Sequence, residues 1–327
     1  MKIKKIIFYC FITIAFAAIV FTSCKKTHDY TLVNTTDDTS AQTIIASDES
    51  EINNEFDQAV NDALTATAIS STTSGDSAGV NLFEISGAVI DSSQSNTGII
   101  KINYYNKTAD NKKARLGEVK IQHAIANGKV IPWKTKGARA TITFTNYEVF
   151  FLNISNKTLS LNGTSVIENI SGGLLKNIKS APGDSLIDKV SAQLAFTYND
   201  NTSSIQSWTW NFNQRRVFSL QDTIVTASIQ GDTAINNINN VSTWGMTRSG
   251  QNFYTGTTTP VLQNLSGVSV LTNPLKGRKI IFGIKEPITV TYGVDQQGTS
   301  VSTGNPYGYI ITWLSGSQPK QAVVKYY

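Results

Sequence analysis

Carboxylates are the side chains with which this sequence could do chemistry, because its other reactive groups are scarce. Paired Asp or Glu residues hydrolyse glycosidic bonds when two carboxyl groups flank the bond. Glutamates in or beside expected strands are Glu118, Glu148, Glu168 and Glu286. Glu118 and Glu148 fall out of phase with the clearest apolar positions, which favours solvent-facing side chains. No catalytic residue is therefore assigned.

Histidine and cysteine are too few for the usual metal and nucleophile sites. The chain has two of each, with no CxxC and no histidine pair at metal-ligand spacing. The GxSxG elbow and the phosphate-binding glycine motifs are also absent. The sequence thus predicts no metal and no cofactor. His123 lies in phase with Val119 and Ile121, which predicts a core histidine.

Cys24 follows a segment that indicates export. A basic start and an apolar run over residues 6–21 precede Thr22, Ser23 and Cys24. Such a segment, residues 1–23, is typical of a secretion signal. It is similar to a bacterial lipobox, in which the cysteine is lipidated and becomes the first mature residue. The alternatives are an uncleaved membrane anchor and an ordinary cleaved signal.

The formal net charge of +5 belongs largely to that segment. It holds three lysines and no acids, so the chain from Cys24 onward carries +2. This small charge gives no reason to expect a nucleic-acid partner. Cys24 is then the one mature thiol, which excludes a disulfide within one chain and favours lipidation. The sequence does not assign an oligomeric state.

A tether and a single helix are expected before the main domain. Residues 24–47 are mostly polar, as in a linker. An amphipathic helix is predicted over residues 48–69, with Ser47 as its N-cap. Its apolar stripe is Ile52, Phe56, Val60 and Leu64. An acidic outer face, without Lys or Arg to balance it, is expected at Glu55, Asp57 and Asp62.

Residues 80–327 read as an antiparallel all-β domain, either an extended sheet or a sandwich of many short strands. Apolar and polar residues alternate in short segments, and the crossover helices that a parallel sheet needs are missing. A change of phase near Asn146 predicts a bulge or a bend. A change of composition at residues 172–185 leaves open one β domain or two.

An alternating aromatic row supplies the candidate ligand-binding residues. Trp208, Trp210 and Phe212 share one face of a predicted strand. Such a row is either part of the core or a platform on which a glycan stacks.

Four segments resemble a group of uncharacterised Bacteroidetes lipoproteins. They are Leu116-Gly117-Glu118-Val119-Lys120-Ile121, Thr143-Phe144-Thr145-Asn146-Tyr147-Glu148-Val149, Leu159-Ser160-Leu161-Asn162-Gly163-Thr164 and Ile288-Thr289-Val290-Thr291-Tyr292-Gly293. The resemblance covers residues 80–327. It implies export, lipidation and a β-rich fold, and it brings no activity and no catalytic residues.

A short Asp-Ser/Thr pattern is similar to the O-glycosylation sequon of exported Bacteroidetes proteins. The candidate residues are Ser77, Ser185, Thr223 and Thr233. Asp, Ser and Thr are also common turn residues, which is the alternative explanation.

Together these features predict a lipid-anchored protein of the cell envelope, attached to the outer membrane, with a non-catalytic binding or structural role. Its expected partners are the membrane, through the lipid, and a glycan or another envelope protein. The alternative is a carbohydrate-active hydrolase with paired carboxylates.

Overall fold

A computed structural model describes residues 41–70, 85–154, 157–178, 185–199, 206–221, 224–265, 273–302 and 304–326. In these ranges the chain forms one long helix, two short 3-10 helices (Ser95–Thr97 and Leu175–Asn177) and seventeen strands. Every strand pairing is antiparallel. The predicted all-β class with one preceding helix is confirmed.

The helix, α1, spans Ala41–Ser70 and is longer than predicted. Ser47 lies inside it, so the prediction that Ser47 caps the N-terminus is wrong. The reason is that Ile45 is buried one heptad before Ile52 and extends the apolar stripe backward. No helix within the described ranges is long and apolar enough to cross a membrane.

The strands follow one another in short connections. They are β1 (Ala88–Asp91), β2 (Ile99–Lys107), β3 (Lys113–His123), β4 (Ile125–Ala126), β5 (Lys129–Val130), β6 (Ala138–Phe151), β7 (Thr158–Asn169), β8 (Leu186–Asn199), β9 (Gln206–Gln221), β10 (Ile224–Gly231), β11 (Thr233–Ile235), β12 (Ile238–Met246), β13 (Asn252–Asn264), β14 (Lys276–Phe282), β15 (Ile288–Val294), β16 (Gly308–Ser315) and β17 (Gln318–Lys325).

Fifteen of these strands form one sheet. Thirteen of them follow the order β1-β2-β3-β6-β7-β8-β9-β10-β13-β14-β15-β16-β17, and β11 and β12 lie off this path. β10 and β12 both lie between β9 and β13. β10 pairs with one part of β9 and one part of β13, and β12 pairs with another part of each of them and also with β11. β4 and β5 form a separate hairpin. Neighbours in the sequence are therefore mostly neighbours in the sheet, as in a meander.

The sheet wraps around α1. Every residue from Asp48 to Asp57 is buried, and successive helical residues point about 100° apart. A helix that rests on one flat sheet leaves its far side exposed, so burial of consecutive positions requires strands on all sides. Side chains from β2, β3, β8, β9, β12, β14 and β15 hydrogen-bond to α1.

One apolar core joins the helix to the inner face of the sheet. Ile52, Phe56, Val60 and Leu64 belong to the same cluster as inward residues from β2 through β16. The rings of Phe56 and Phe212 have centroids 4.3 Å apart. The predicted stripe is confirmed as a packing surface.

The predicted irregularity at Asn146 is a β-bulge. The register of β6 shifts against both neighbouring strands there, and Asn146 has a positive φ of 49°. Phe144 and Tyr147 consequently both point inward, on either side of the bulge. Gly117 of β3 lies against it, and the amide N–H of Asn146 donates to Asn162 Oδ1 of β7 at 3.2 Å. The segments around Gly117, Asn146 and Asn162 thus lie side by side on three neighbouring strands and form one irregular patch of the sheet.

The strands before and after residues 172–185, β7 and β8, are neighbours in one sheet. β7 and β8 pair along their whole lengths, from Thr158 with Asn199 to Asn169 with Asp188. The strands on both sides of this segment therefore belong to the same sheet.

Gly117→Ala should destabilise the fold by about 2–4 kcal/mol. Gly117 has a φ of +102°, and a Cβ placed there would lie 2.0 Å from the carbonyl oxygen of Asn146. The matched control is Gly128→Ala, which has a φ of +73° but no atom within 4 Å of the added Cβ. Denaturant unfolding of both variants separates the clash from the backbone strain. Equal losses in the two variants would contradict the close approach.

Candidate functional site

The candidate modification and attachment residues lie far apart along the chain. Cys24, Ser77 and Thr223 are outside the described residues. Ser185 precedes β8 and Thr233 lies in β11, and both are half-buried.

Trp208, Trp210 and Phe212 are core residues. Their exposed fractions are 7%, 2% and 1%, and the Trp210 ring packs edge-on against Phe253 at 4.8 Å. They cannot form an exposed ligand-binding platform, so that candidate assignment is wrong. The physical reason is that the inner face of β9 covers α1, and aromatic rings bury the most area there.

The four glutamates considered for hydrolysis each have a separate partner. The partners are Lys101 for Glu118, Arg139 for Glu168, the Ser160 hydroxyl for Glu148 and the Gly316 amide for Glu286. The two ion pairs lie at partly exposed positions. These contacts are those of structural pairs on the outside of a sheet.

His123 is a core residue, as its phase predicted. Its side chain is buried and packs against Trp133, and burial lowers the pKa of the imidazole below its ordinary value. Within the described residues, no group of three His, Cys, Asp or Glu side chains could hold a metal. An open cavity of about 430 Å³ lies beside His123, and Gln122, Arg139 and Thr141 contribute to the lining of this cavity.

The largest concentration of charge lies inside the fold, on α1. All six of its acidic residues pair with a cation from outside the helix. The pairs are Asp48–Arg248 (2.6 Å), Glu49–Lys279 (3.3 Å), Glu51–Lys157 (2.6 Å), Glu55–Lys113, Asp57–Arg216 (2.6 Å) and Asp62–Arg115 (2.6 Å). The prediction of an exposed, unbalanced acidic face at Glu55, Asp57 and Asp62 is therefore wrong, because the balancing charges come from the sheet.

Tyrosine hydroxyls complete the shells of three of these carboxylates. Tyr104 donates to Asp62 at 2.7 Å and Tyr198 donates to Glu51 at 2.6 Å. Burial, reinforced by the neighbouring carboxylate, raises the pKa of both hydroxyls above the ordinary value. Both therefore remain protonated donors. Tyr292 makes a longer contact of 3.5 Å with Glu49.

The sequence does indicate buried cations, but the pattern lies in the strands and not in the helix. Lys113 and Arg115 lie in the same inward phase as Val119 and Ile121 on β3. Arg216 shares the phase of Phe212 and Phe218 on β9. A charged residue at an inward-facing, otherwise apolar position of a strand requires a buried partner. The acidic helix could supply that partner.

The most deeply buried cation, Arg216, lies between two carboxyl groups. It is fully buried, donates to Asp57 and Asn61, and stands opposite Asp188 across the β8–β9 ladder. Burial raises the pKa of Asp57, and it raises that of Asp188 from 3.8 to about 7, against the lowering effect of Arg216. One guanidinium thus faces two desolvated carboxyl groups, which favours a retained proton.

Arg248 and Asp48 form a bidentate pair at one end of the helix. Both contacts, Nε to Oδ2 and Nη2 to Oδ1, measure 2.6 Å. Burial raises the pKa of Asp48 to about 6 despite this pair. The guanidinium also covers the ring of Tyr198 at 4.5 Å.

A small cavity lies next to the helix. It has a volume of about 20 Å³ and lies against Glu51 and Asn54, bounded by Lys113, Tyr292 and Tyr326. That volume holds about one water molecule, and the buried Asn54 Oδ1 has no protein partner. This cavity is therefore too small for a ligand larger than water.

Comparison of the chain with protein-family models, with curated proteins and with solved structures gave no match.

Arg216→Met should destabilise the protein by about 3–5 kcal/mol, because it leaves Asp57 and Asp188 buried without their cation. The control is Arg139→Met, which breaks a pair whose side chains are 64% and 27% exposed. That change should cost less than about 1 kcal/mol. Denaturant midpoints measure both effects, and equal losses would show that the buried pair is not special.

Asp188→Asn should become stabilising relative to the natural chain as pH rises. The folded protein holds a proton on Asp188 that the unfolded chain releases near pH 3.8. Protonated Asp188 makes its full contribution to the free energy of unfolding below pH 3.8, and this contribution is lost as pH rises through about 7. The total loss is at most roughly 4 kcal/mol.

The measurement is denaturant unfolding of both proteins at about pH 5 and about pH 8. The advantage of the asparagine variant should grow between them. Asp91→Asn is the control, since hydrogen bonds from Ser93 lower the pKa of this exposed carboxyl below 3.8. Asp91 is therefore ionised in both the folded and the unfolded chain between about pH 5 and about pH 8, and its difference should stay nearly constant. A pH-independent difference at position 188 would contradict the retained proton.

Proposed function

We propose that this chain is a lipid-anchored protein of the cell envelope with a non-catalytic binding or structural role. The observation that carries the proposal is Cys24, which directly follows a basic and apolar segment and two small residues. Lipidation there explains why the mature chain would keep a single cysteine, at its first position. The resemblance to Bacteroidetes lipoproteins supports export and attachment to the outer membrane.

Two structural features support a role without catalysis. The helix fills the centre of the sheet, and its carboxylates are held in ion pairs with structural partners. The outer glutamates likewise face individual cross-strand partners. A protein of this kind meets a glycan or another envelope protein with its outer surface, where the open cavity beside Gln122 and Arg139 lies.

The anchor can be tested directly by metabolic labelling with a fatty-acid probe. The natural protein should be labelled and should sediment with membranes, and Cys24→Ser should lose both properties. Cys10→Ser is the matched control, because that cysteine lies in the segment to be removed, and it should be labelled normally. Equal labelling of the Cys24→Ser protein would refute the anchor.

A further inference from the structure

A lysine amine and an asparagine amide meet on one buried carboxylate between α1 and β14. Glu49 Oε1 accepts from Lys279 Nζ at 3.3 Å and from Asn53 Nδ2 at 3.0 Å. Glu49, Asn53 and Lys279 are all buried. The two nitrogens are therefore held beside the same oxygen atom, away from solvent.

The carbonyl of the same asparagine is also held. Thr243 Oγ1 of β12 donates to Asn53 Oδ1 at 2.9 Å. A hydrogen bond to a carbonyl oxygen withdraws electron density and stabilises negative charge that develops there during nucleophilic attack. Asn53 Nδ2 donates a second bond to the backbone carbonyl of Glu49 at 2.7 Å, which fixes the orientation of the amide.

We propose that Lys279 and Asn53 form an intramolecular amide bond in the folded protein, with Glu49 as the proton shuttle. Lys279 first passes a proton to Glu49, which leaves both groups neutral. The neutral Nζ then attacks Cγ of Asn53, and Thr243 stabilises the oxyanion. The C–N bond to Nδ2 breaks, and Glu49 protonates this nitrogen.

The reaction balances without any other reactant. One C–N bond forms and one breaks. The Lys279 ammonium gives up two protons in all: the first passes through Glu49 to the leaving amide nitrogen and makes it ammonia, and the second goes to Glu49. The departing ammonia takes this second proton and leaves as ammonium, so Glu49 ends as the carboxylate with which it began. No oxidant, reductant or cofactor is consumed.

The other ion pairs of the helix lack one of the required parts. Asp62 also accepts from an amide, that of Gln58 at 2.7 Å, but its cation is Arg115, and an arginine is not deprotonated in proteins. Glu51 pairs with a lysine, Lys157, and its other contact is the Tyr198 hydroxyl, so no asparagine amide meets this carboxylate among the described residues. Lysine, asparagine, carboxylate and oxyanion donor come together at Glu49.

The bond would fasten the helix covalently to β14. Asn53 and Lys279 are far apart in sequence, so the link closes a long loop and restricts the unfolded chain. It would also act on a helix that the rest of the fold holds by side-chain contacts alone.

Peptide mapping by mass spectrometry on the full chain, purified from membranes, tests the proposal. The expected product is a linked pair of peptides, one with Asn53 and one with Lys279, lighter than their sum by one ammonia. Recovery of both peptides unlinked and at full mass from the natural protein overturns the proposal, whatever the variants do.

Three variants locate the chemistry. Lys279→Arg, which keeps the charge, and Glu49→Gln, which keeps the shape but removes the shuttle, should both lose the linked peptide. Lys157→Arg is the control at a neighbouring ion pair and should keep it. A linked peptide in folded Glu49→Gln protein, as judged by circular dichroism, would overturn the role of Glu49.

Discussion

The burial of an acidic helix inside a sheet is the constraint on which the other features of this structure depend. Six carboxylates cannot leave water unless charge and hydrogen bonds replace their hydration. The strands supply four cations, and the segments before β7 and after β12 supply Lys157 and Arg248; tyrosine hydroxyls from β2 and β8 add to them. Since these groups come from separate parts of the sheet and its connections, the sheet must curve around the helix for all six pairs to form.

Local patterns in the sequence predict the elements of this fold but not their arrangement. Alternation of apolar residues predicts the strands, and the change of phase at Asn146 predicts the bulge that the structure contains. The four-residue spacing of Ile52, Phe56, Val60 and Leu64 predicts the helix. Each of these signals lies within a few residues, where backbone geometry alone decides the pattern.

The buried ion pairs could not be predicted in the same way, because their members are distant in sequence. Arg115 was visible as a cation at an apolar phase, but nothing local shows that Asp62 is its partner. The aromatic row at Trp208 was ambiguous for a related reason. Alternation shows that its members share a face, but only the position of α1 decides that this face is the inner one.

The ion pairs also fix the position of the helix, which its apolar stripe cannot do alone. The stripe repeats every four residues, so a helix shifted by four positions along its axis would still offer an apolar side chain at most stripe sites. After such a shift, the partners of Asp48, Glu49, Glu55, Asp57 and Asp62 would face Ile52, Asn53, Ala59, Asn61 and Ala66. Lys157 alone would still meet a carboxylate, that of Glu55. Five cations, of which Arg115, Arg216 and Lys279 are buried, would then lack a counter-charge. That loss would be prohibitive, so charge selects one register from those that hydrophobic packing permits.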